Sequence, residues 1–264
     1  MELKIPHGDE TILSKRQSNL LNKKGYLVPK KEEVVKRQSQ YLEIYEKLKV
    51  VMKDKFDKPV FLMYGTLLGH HRNGDFIEGD DDFDVGYWSD CTDVNSVKKE
   101  TKELVLDLVL LGFNCSFNRK GRLFRIALPE SPPGVHLDIR PVWYEDGHVW
   151  AHRQAKLPLC REDFLPVKEE LLRGKMVFTP NNTEVFLASY YGKGWKVPDP
   201  SYSNEAIPDE VKKFLNKTNI SPAEYREMCE EIAQRSSDYP NPGRFIAIGL
   251  LDLYSEDVPS LDLE

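Results

Sequence analysis

Three aspartates at alternating positions, Asp80, Asp82 and Asp84, lie in the run Gly79-Asp80-Asp81-Asp82-Phe83-Asp84-Val85-Gly86. In an extended chain side chains alternate faces, so these carboxylates share one face while Phe83 and Val85 take the other, toward a core. Three like charges on one face repel unless a cation sits among them. Oxygen-only ligands select a hard divalent ion, Mg²⁺ (or Mn²⁺), and Mg²⁺ is the usual companion of phosphate groups. A solvated acidic turn is the plain alternative for an Asp-rich run. This run, however, continues into the apolar stretch Phe83, Val85, Tyr87, Trp88 and follows a Gly65-Thr66 turn that opens a short helix. Spacing excludes a calcium loop of the D-x-D-x-D-G type, because Val85 stands at the glycine position and Cys91 at the closing glutamate.

The flanking pattern supplies the elements that must hold these acids. Apolar residues at helical spacing from Val34 to Met52 predict a packing helix over 31–55. Pro59 to Tyr64 reads as a strand, Gly65-Thr66 as a turn, and Leu67 to Arg72 as a short helix. A helix N-terminus offers free N–H groups and partial positive charge to a phosphate, and Thr66 adds a hydroxyl. Arg72 brings a fork of donors suited to the same group. After the acid strand, a helix over 91–111 ends at Gly112, followed by strands over 113–118 and 123–128. The joint between them carries Arg119, Lys120 and Arg122, and with Arg125 forms a basic hairpin facing any anionic donor. A strand then opens at Val135, in which Asp138 stands between Leu137 and Ile139. An acid in that setting needs a metal or a partner, and Arg140, two residues on and on the same face, is the candidate partner. Glu145-Asp146-Gly147 is a hairpin turn; His148 and His152 beyond it read as structural or surface histidines. A strand pair is predicted around Arg173-Gly174-Lys175, with arms over 164–167 and 176–182. A helix over 183–191 follows, with Asn182 as its N-cap. Two or three helices, over 208–216, 221–236 and 244–254, follow from Ser201 onward.

The quoted residues resemble the LicD/fukutin family of phosphotransferases. The shared pattern is Tyr64, Gly65-Thr66, Leu67-Leu68-Gly69, Arg72, Phe76-Ile77 and the acids from Asp80 to Asp84. It departs at Glu78-Gly79, where the family usually has Pro-Trp. A second block, Pro180, Asn182, Tyr191-Gly192 and Trp195 ahead of Pro198 and Pro200, extends the likeness over roughly half the chain. The resemblance implies an α+β, nucleotidyltransferase-like mixed sheet flanked by helices, with an N-terminal helix and a C-terminal helical extension. The polar, irregular stretch over 1–30 reads as an arm, the catalytic domain as 31–200, and the helices beyond as an extension over 201–264. By order along the chain, Asp138 matches the third carboxylate that such folds set beside the D-x-D pair. Metal ligands are then Asp80, Asp82, Asp84 and Asp138, with Asp82, Asp84 and Asp138 catalytic. Gly65, Thr66, Arg72, Arg122 and Arg125 would bind donor phosphates, and Tyr190, Tyr191, Lys193 and Trp195 would stack on a base or pin a phosphate.

Family members move a phospho-alcohol (phosphocholine, ribitol phosphate or glycerol phosphate) from a CDP-linked donor to a sugar hydroxyl. Acceptors are cell-surface glycans or glycolipids such as lipopolysaccharide, capsule or teichoic acid. Two rivals stay open: a nucleotidyltransferase that releases pyrophosphate, and a non-catalytic glycan- or partner-binding module. Composition narrows the classes further. The 264-residue chain has a formal net charge of -6, which argues against nucleic acid as the main partner. Four scattered cysteines without a C-x-x-C pair suggest buried thiols in a reducing compartment. No apolar run reaches the ~18 residues of a membrane span, and the polar N-terminus lacks a signal-peptide pattern. The expected location is cytoplasmic, with peripheral contact at the inner face of the membrane. No nucleophile elbow, Walker loop or G-x-G-x-x-G fingerprint is present.

Overall fold

A computed structural model of the chain describes residues 29–80, 82–117, 121, 124–151, 155–199, 202 and 208–246. The expected amphipathic helix is α1 (Lys31–Phe56). It buries Val34, Gln38, Tyr41, Leu42, Tyr45, Leu48 and Met52, an i, i+3/i+4 stripe laid on the sheet. Tyr45 sits in that stripe with its hydroxyl donating to the Val60 carbonyl (2.7 Å) and accepting from the Phe178 amide (2.9 Å). One buried hydroxyl thus ties the helix to two separate strands.

Strands β1 (Val60–Leu62), β2 (Asp84–Trp88), β3 (Asn114–Phe117), β4 (Phe124–Ala127) and β5 (Leu137–Glu145) form a mixed sheet, in the order β1-β2-β5-β4-β3. The central pair β2/β5 is parallel; β1/β2, β5/β4 and β4/β3 are antiparallel. This is the mixed α+β sheet that the sequence predicts. All five residues of β2 are buried, so its two faces are both covered. Helix α2 (Tyr64–Asn73) follows β1 directly, and α3 (Val94–Leu110), capped by the Asp93 carboxylate on the Asn95 and Ser96 amides, follows β2. Gly112 ends α3 at φ +100°, the positive-φ position a helix C-terminus favours. Beyond β5 the chain turns back through β6 (His148–Ala151) and β7 (Ala155–Leu157). A separate hairpin, β8 (Lys168–Leu172) with β9 (Lys175–Thr179), leads to α4 (Thr183–Tyr191).

Several expectations are corrected. The first arm of that hairpin lies at 168–172 rather than 164–167; Phe164 is instead wholly buried among the Phe61, Trp88 and Phe186 rings. Asn182 precedes α4 as expected, but its side chain caps nothing there and donates to Asp163 Oδ1 (2.9 Å). In the C-terminal part, helices α5 (Asp209–Leu215) and α6 (Pro222–Arg235) form as expected, the latter with Ser221 as N-cap. No helix begins at Arg244: Phe245–Ile246 is strand β10, parallel to β3. The cause is the edge of the sheet. Strand β3 would otherwise present open amides, and here the Cys115 amide donates to the Arg244 carbonyl (2.9 Å) while Asn114 Oδ1 accepts from the Arg244 amide (2.9 Å). Ion pairs Lys98–Glu224 (2.7 Å) and Arg235–Asp107 (2.7 Å) fasten α6 to α3. No helix among the described residues is long and apolar enough to cross a membrane.

Candidate active site

The acids meet where the parallel pair begins. Asp84 opens β2 and is the register partner of Asp138 on β5, which puts the two carboxylates side by side on one face. Phe83 and Val85 point into the core, both fully buried, as alternation requires. The strand, however, starts only at Asp84. Asp80 and Asp82 lie in the preceding loop, which corrects the expectation of three acids along one strand. That loop is pinned by its own backbone: the Asp80 amide donates to the Ile77 carbonyl (3.0 Å), and Gln38 of α1 donates to the Asp80 carbonyl (2.9 Å). Asp82 is exposed, whereas Asp84 is buried.

Helix α2 starts against the same spot because β1 runs antiparallel to β2, so the end of β1 adjoins the start of β2. The Met63 amide donates to the Asp84 carbonyl (3.0 Å), and the Asp84 amide donates to Thr66 Oγ1 (2.9 Å). Met63, the N-cap, has no side-chain cap, so the amides of the first turn are aimed from a bare helix N-terminus. Gly65 lies against the acid loop: a Cβ there would stand 3.2 Å from Asp80 Oδ2. Gly69 permits the next approach, since a Cβ there would come within 2.6 Å of the Ile77 amide nitrogen. The glycines of the Gly65-to-Gly69 motif are therefore contact points between helix and loop.

Two arginines complete the cluster. Arg140 Nη1 lies 3.0 Å from Asp84 Oδ1 and Nη2 lies 3.8 Å from Asp138 Oδ2. Arg125 Nε donates to Asp138 Oδ1 (3.2 Å), and His136 Nε2 stands 3.6 Å from the same oxygen. Arg140 is buried, with its guanidinium carbon 4.8 Å from the Tyr64 ring centroid. Burial pushes the Asp84 carboxyl up to about 7; Arg140 pulls it down, and the charges of Asp82 and Asp138 push it up again. One arginine does not neutralise this corner.

Tyrosines wall the other side. Tyr64, at φ +45°, sets its ring 4.8 Å from Tyr190; Tyr190 lies 4.7 Å from Tyr191, and Tyr191 5.4 Å from Tyr202. Burial and the neighbouring Tyr190 and Asp84 charges raise the Tyr191 hydroxyl far above its ordinary range, so it stays protonated.

The site thus brings together Asp80, Asp82, Asp84, Asp138, Gly65, Thr66 and Arg125. Arg72 is elsewhere. It sits near the far end of α2, roughly 10 Å along the helix from Gly65, and donates to the Trp195 carbonyl (3.3 Å). Arg119, Lys120 and Arg122 lie outside the described residues, as does His152. His148 Nδ1 faces the Asp146 carbonyl (2.8 Å), a surface role; His70 is buried on Glu170 (2.6 Å), clamping α2 to β8. Trp195 is buried beside His71 (5.4 Å), a packing role, and Lys193 is exposed. Sequence reasoning weighed Arg140 only as a partner of Asp138, and it missed Asp84 as the closer one. It missed Tyr202 altogether, for which no local signal exists.

All the close acids are oxygen donors, and Asp84 keeps a strained charge among two others; this donor set fits a hard divalent ion. As the side chains stand, no three His, Cys, Asp or Glu groups among the described residues converge on one point. Arg125 and Arg140 hold oxygens of Asp138 and Asp84 instead.

Residues 57–182 match a family model described as LicD/FKTN/FKRP, nucleotidyltransferase domain. Over 148 residues the chain is 32% identical to the protein named ribitol 5-phosphate transferase FKRP of Mus musculus, and equally to that of Homo sapiens. The alignment takes in 54% of this chain and 29% of each relative, so the chain spans less than a third of the length of these curated relatives.

Proposed function

We propose, on the premise that residues 57–182 form a domain of the LicD/FKTN/FKRP family, that the chain transfers a phospho-alcohol from a CDP-linked donor to a glycan hydroxyl. The observation that carries this reading is the Asp84–Asp138 pair, in register on parallel strands beside the start of α2. The name of the matched relatives favours ribitol phosphate as the group moved.

Asp82, Asp84 and Asp138, with Asp80 in support, are the residues that would hold a divalent ion, Mg²⁺ or Mn²⁺. Held there, an ion would supply screening of the donor's phosphate charge and a more acidic attacking hydroxyl. The first turn of α2 lies at the same corner, with Gly65 against Asp80 and Thr66 on the Asp84 amide, and a helix start favours a phosphate. The Thr66 hydroxyl accepts from the Asp84 amide, so it fixes the strand start. In the reaction a bond forms between the acceptor hydroxyl oxygen and the phospho-alcohol phosphorus. The bond from that phosphorus to the bridging oxygen breaks, and CMP leaves. Asp138 takes the acceptor proton in this reading, while Arg125 holds its Oδ1. The tyrosine row runs from buried Tyr64 out to exposed Tyr202, and its outer end offers an aromatic surface for the cytosine ring.

The test is CMP release from CDP-ribitol, CDP-glycerol and CDP-choline, with Mg²⁺ or Mn²⁺, with and without glycan extract. CMP from one donor, abolished by EDTA and by an Asp82→Ala, Asp84→Ala double variant, is the expected result. Pyrophosphate release from CTP instead would assign the nucleotidyltransferase reaction to the same acids. Silence with every donor refutes the transfer reading.

A further inference from the structure

Arg140 is a buried cation placed between two acids. Its fork reaches Asp84 at 3.0 Å and Asp138 at 3.8 Å, and its plane rests on the Tyr64 ring at 4.8 Å. Its Nε is buried and has no hydrogen-bond partner among the described residues. The position follows from β5 and its pairing with β2: Arg140 is two residues beyond Asp138, on the same face, and Asp84 joins them through the parallel register. Neighbouring strands lie about 4.8 Å apart, so the space between the two carboxylates is where an ion bridging both would sit. A guanidinium is there instead. Arginine suits the place better than lysine, since a planar fork can face two carboxylates at once while its flat side stacks on an aromatic ring.

We propose that Arg140 is the resident cation of this cluster, a positioning residue that fills the place of a bridging metal. The site then takes one divalent ion, not a bridged pair. This rests on the reading above that the acids hold a metal at all. Arg140 orients Asp84, offsets its repulsion with Asp138, and keeps positive charge in the corner whether or not an ion is bound.

The test is a Mn²⁺ titration of the full chain, followed by electron paramagnetic resonance of the free ion, alone and with CDP as the probe nucleotide. Wild type is expected to bind one Mn²⁺ per chain and to show no spin-coupled pair. Arg140→Lys keeps a cation in place and is expected to bind one as well. Arg140→Met, with folding checked by circular dichroism, is expected to gain a second ion or to bind the first about tenfold more tightly or better, because a positive charge beside the ion is gone. Two ions in the wild type, or a folded Arg140→Met variant with unchanged count and affinity, overturn the proposal. If Arg140→Met does not fold, the wild-type and Arg140→Lys counts decide. Absence of any Mn²⁺ binding by the wild type overturns the metal reading and this proposal together; two bound ions overturn this one and leave the metal reading standing.

Discussion

Asp84→Asn is expected to flatten the pH dependence of stability in the metal-free chain. Asp84 is buried at the start of β2 with its carboxyl pushed up to about 7, against roughly 3.9 in an unfolded chain. The folded-state value is raised, so between these limits the native state holds a proton that the unfolded state has shed. Stability contributed by this group is present at low pH and is lost as pH rises through about 7. At ~1.4 kcal/mol per unit, the two units from pH 5 to 7 amount to about 2–3 kcal/mol. The drop belongs to the cluster, because the charges of Asp82 and Asp138 help to raise Asp84. Asparagine removes the charge yet keeps an oxygen to accept from Arg140 Nη1. The attraction of Arg140 is already contained in the raised value, and the uncharged variant's own pairing with Arg140 does not change with pH, so it drops out of the comparison. The assay is urea unfolding in EDTA at pH 5 and pH 8 for both proteins. Wild type should lose about 2–3 kcal/mol more than Asp84→Asn across that interval. Equal losses would falsify the picture of Asp84 as an undercompensated buried charge.

Adding Mg²⁺ at pH 8 should raise the melting temperature of wild type and leave Asp84→Asn nearly unmoved, by preferential binding to the folded state; a shift of the same size in both would remove Asp84 from the ligand set. Gly69→Ala ordinarily helps a helix by about 0.5–1 kcal/mol, but here the new Cβ would meet the Ile77 amide nitrogen at 2.6 Å and the Asp75 carbonyl at 2.9 Å. A net loss of about 1–3 kcal/mol in denaturant unfolding is expected, and a gain contradicts the close helix–loop contact. Arg72→Ala, which removes the bond to the Trp195 carbonyl, should lower the melting temperature by a few degrees, roughly 1 kcal/mol. It should leave kcat/KM for the donor within about threefold; a loss of a hundredfold or more restores Arg72 as a phosphate ligand. Tyr45→Phe strips a hydroxyl that serves the Val60 carbonyl and the Phe178 amide and should cost about 1–3 kcal/mol, read from the same unfolding curves.

The sequence by itself determined what depends on neighbours along the chain. Helical spacing placed α1 within a residue of its observed bounds, and alternation put Phe83 and Val85 inside. The run from Tyr64 to Asp84 carried the resemblance to the LicD/fukutin family, and Asp138, isolated between two apolar residues, marked the second acidic strand. Tertiary structure decided what depends on register between distant strands. Only the parallel pairing of β2 with β5 sets Asp84 beside Asp138 and brings Arg140 within 3.0 Å of Asp84. Alternation also extended the acid strand too far back. A strand begins where a partner offers hydrogen bonds, and β5 first meets β2 at Asp84, so Asp80 and Asp82 stay in a loop held by Gln38. The length of α2 carries Arg72 away from the acids, although motif spacing places it beside them. Strand β10 has the same origin: Phe245 and Ile246 are apolar enough for either element, and the open edge of β3 made them a strand.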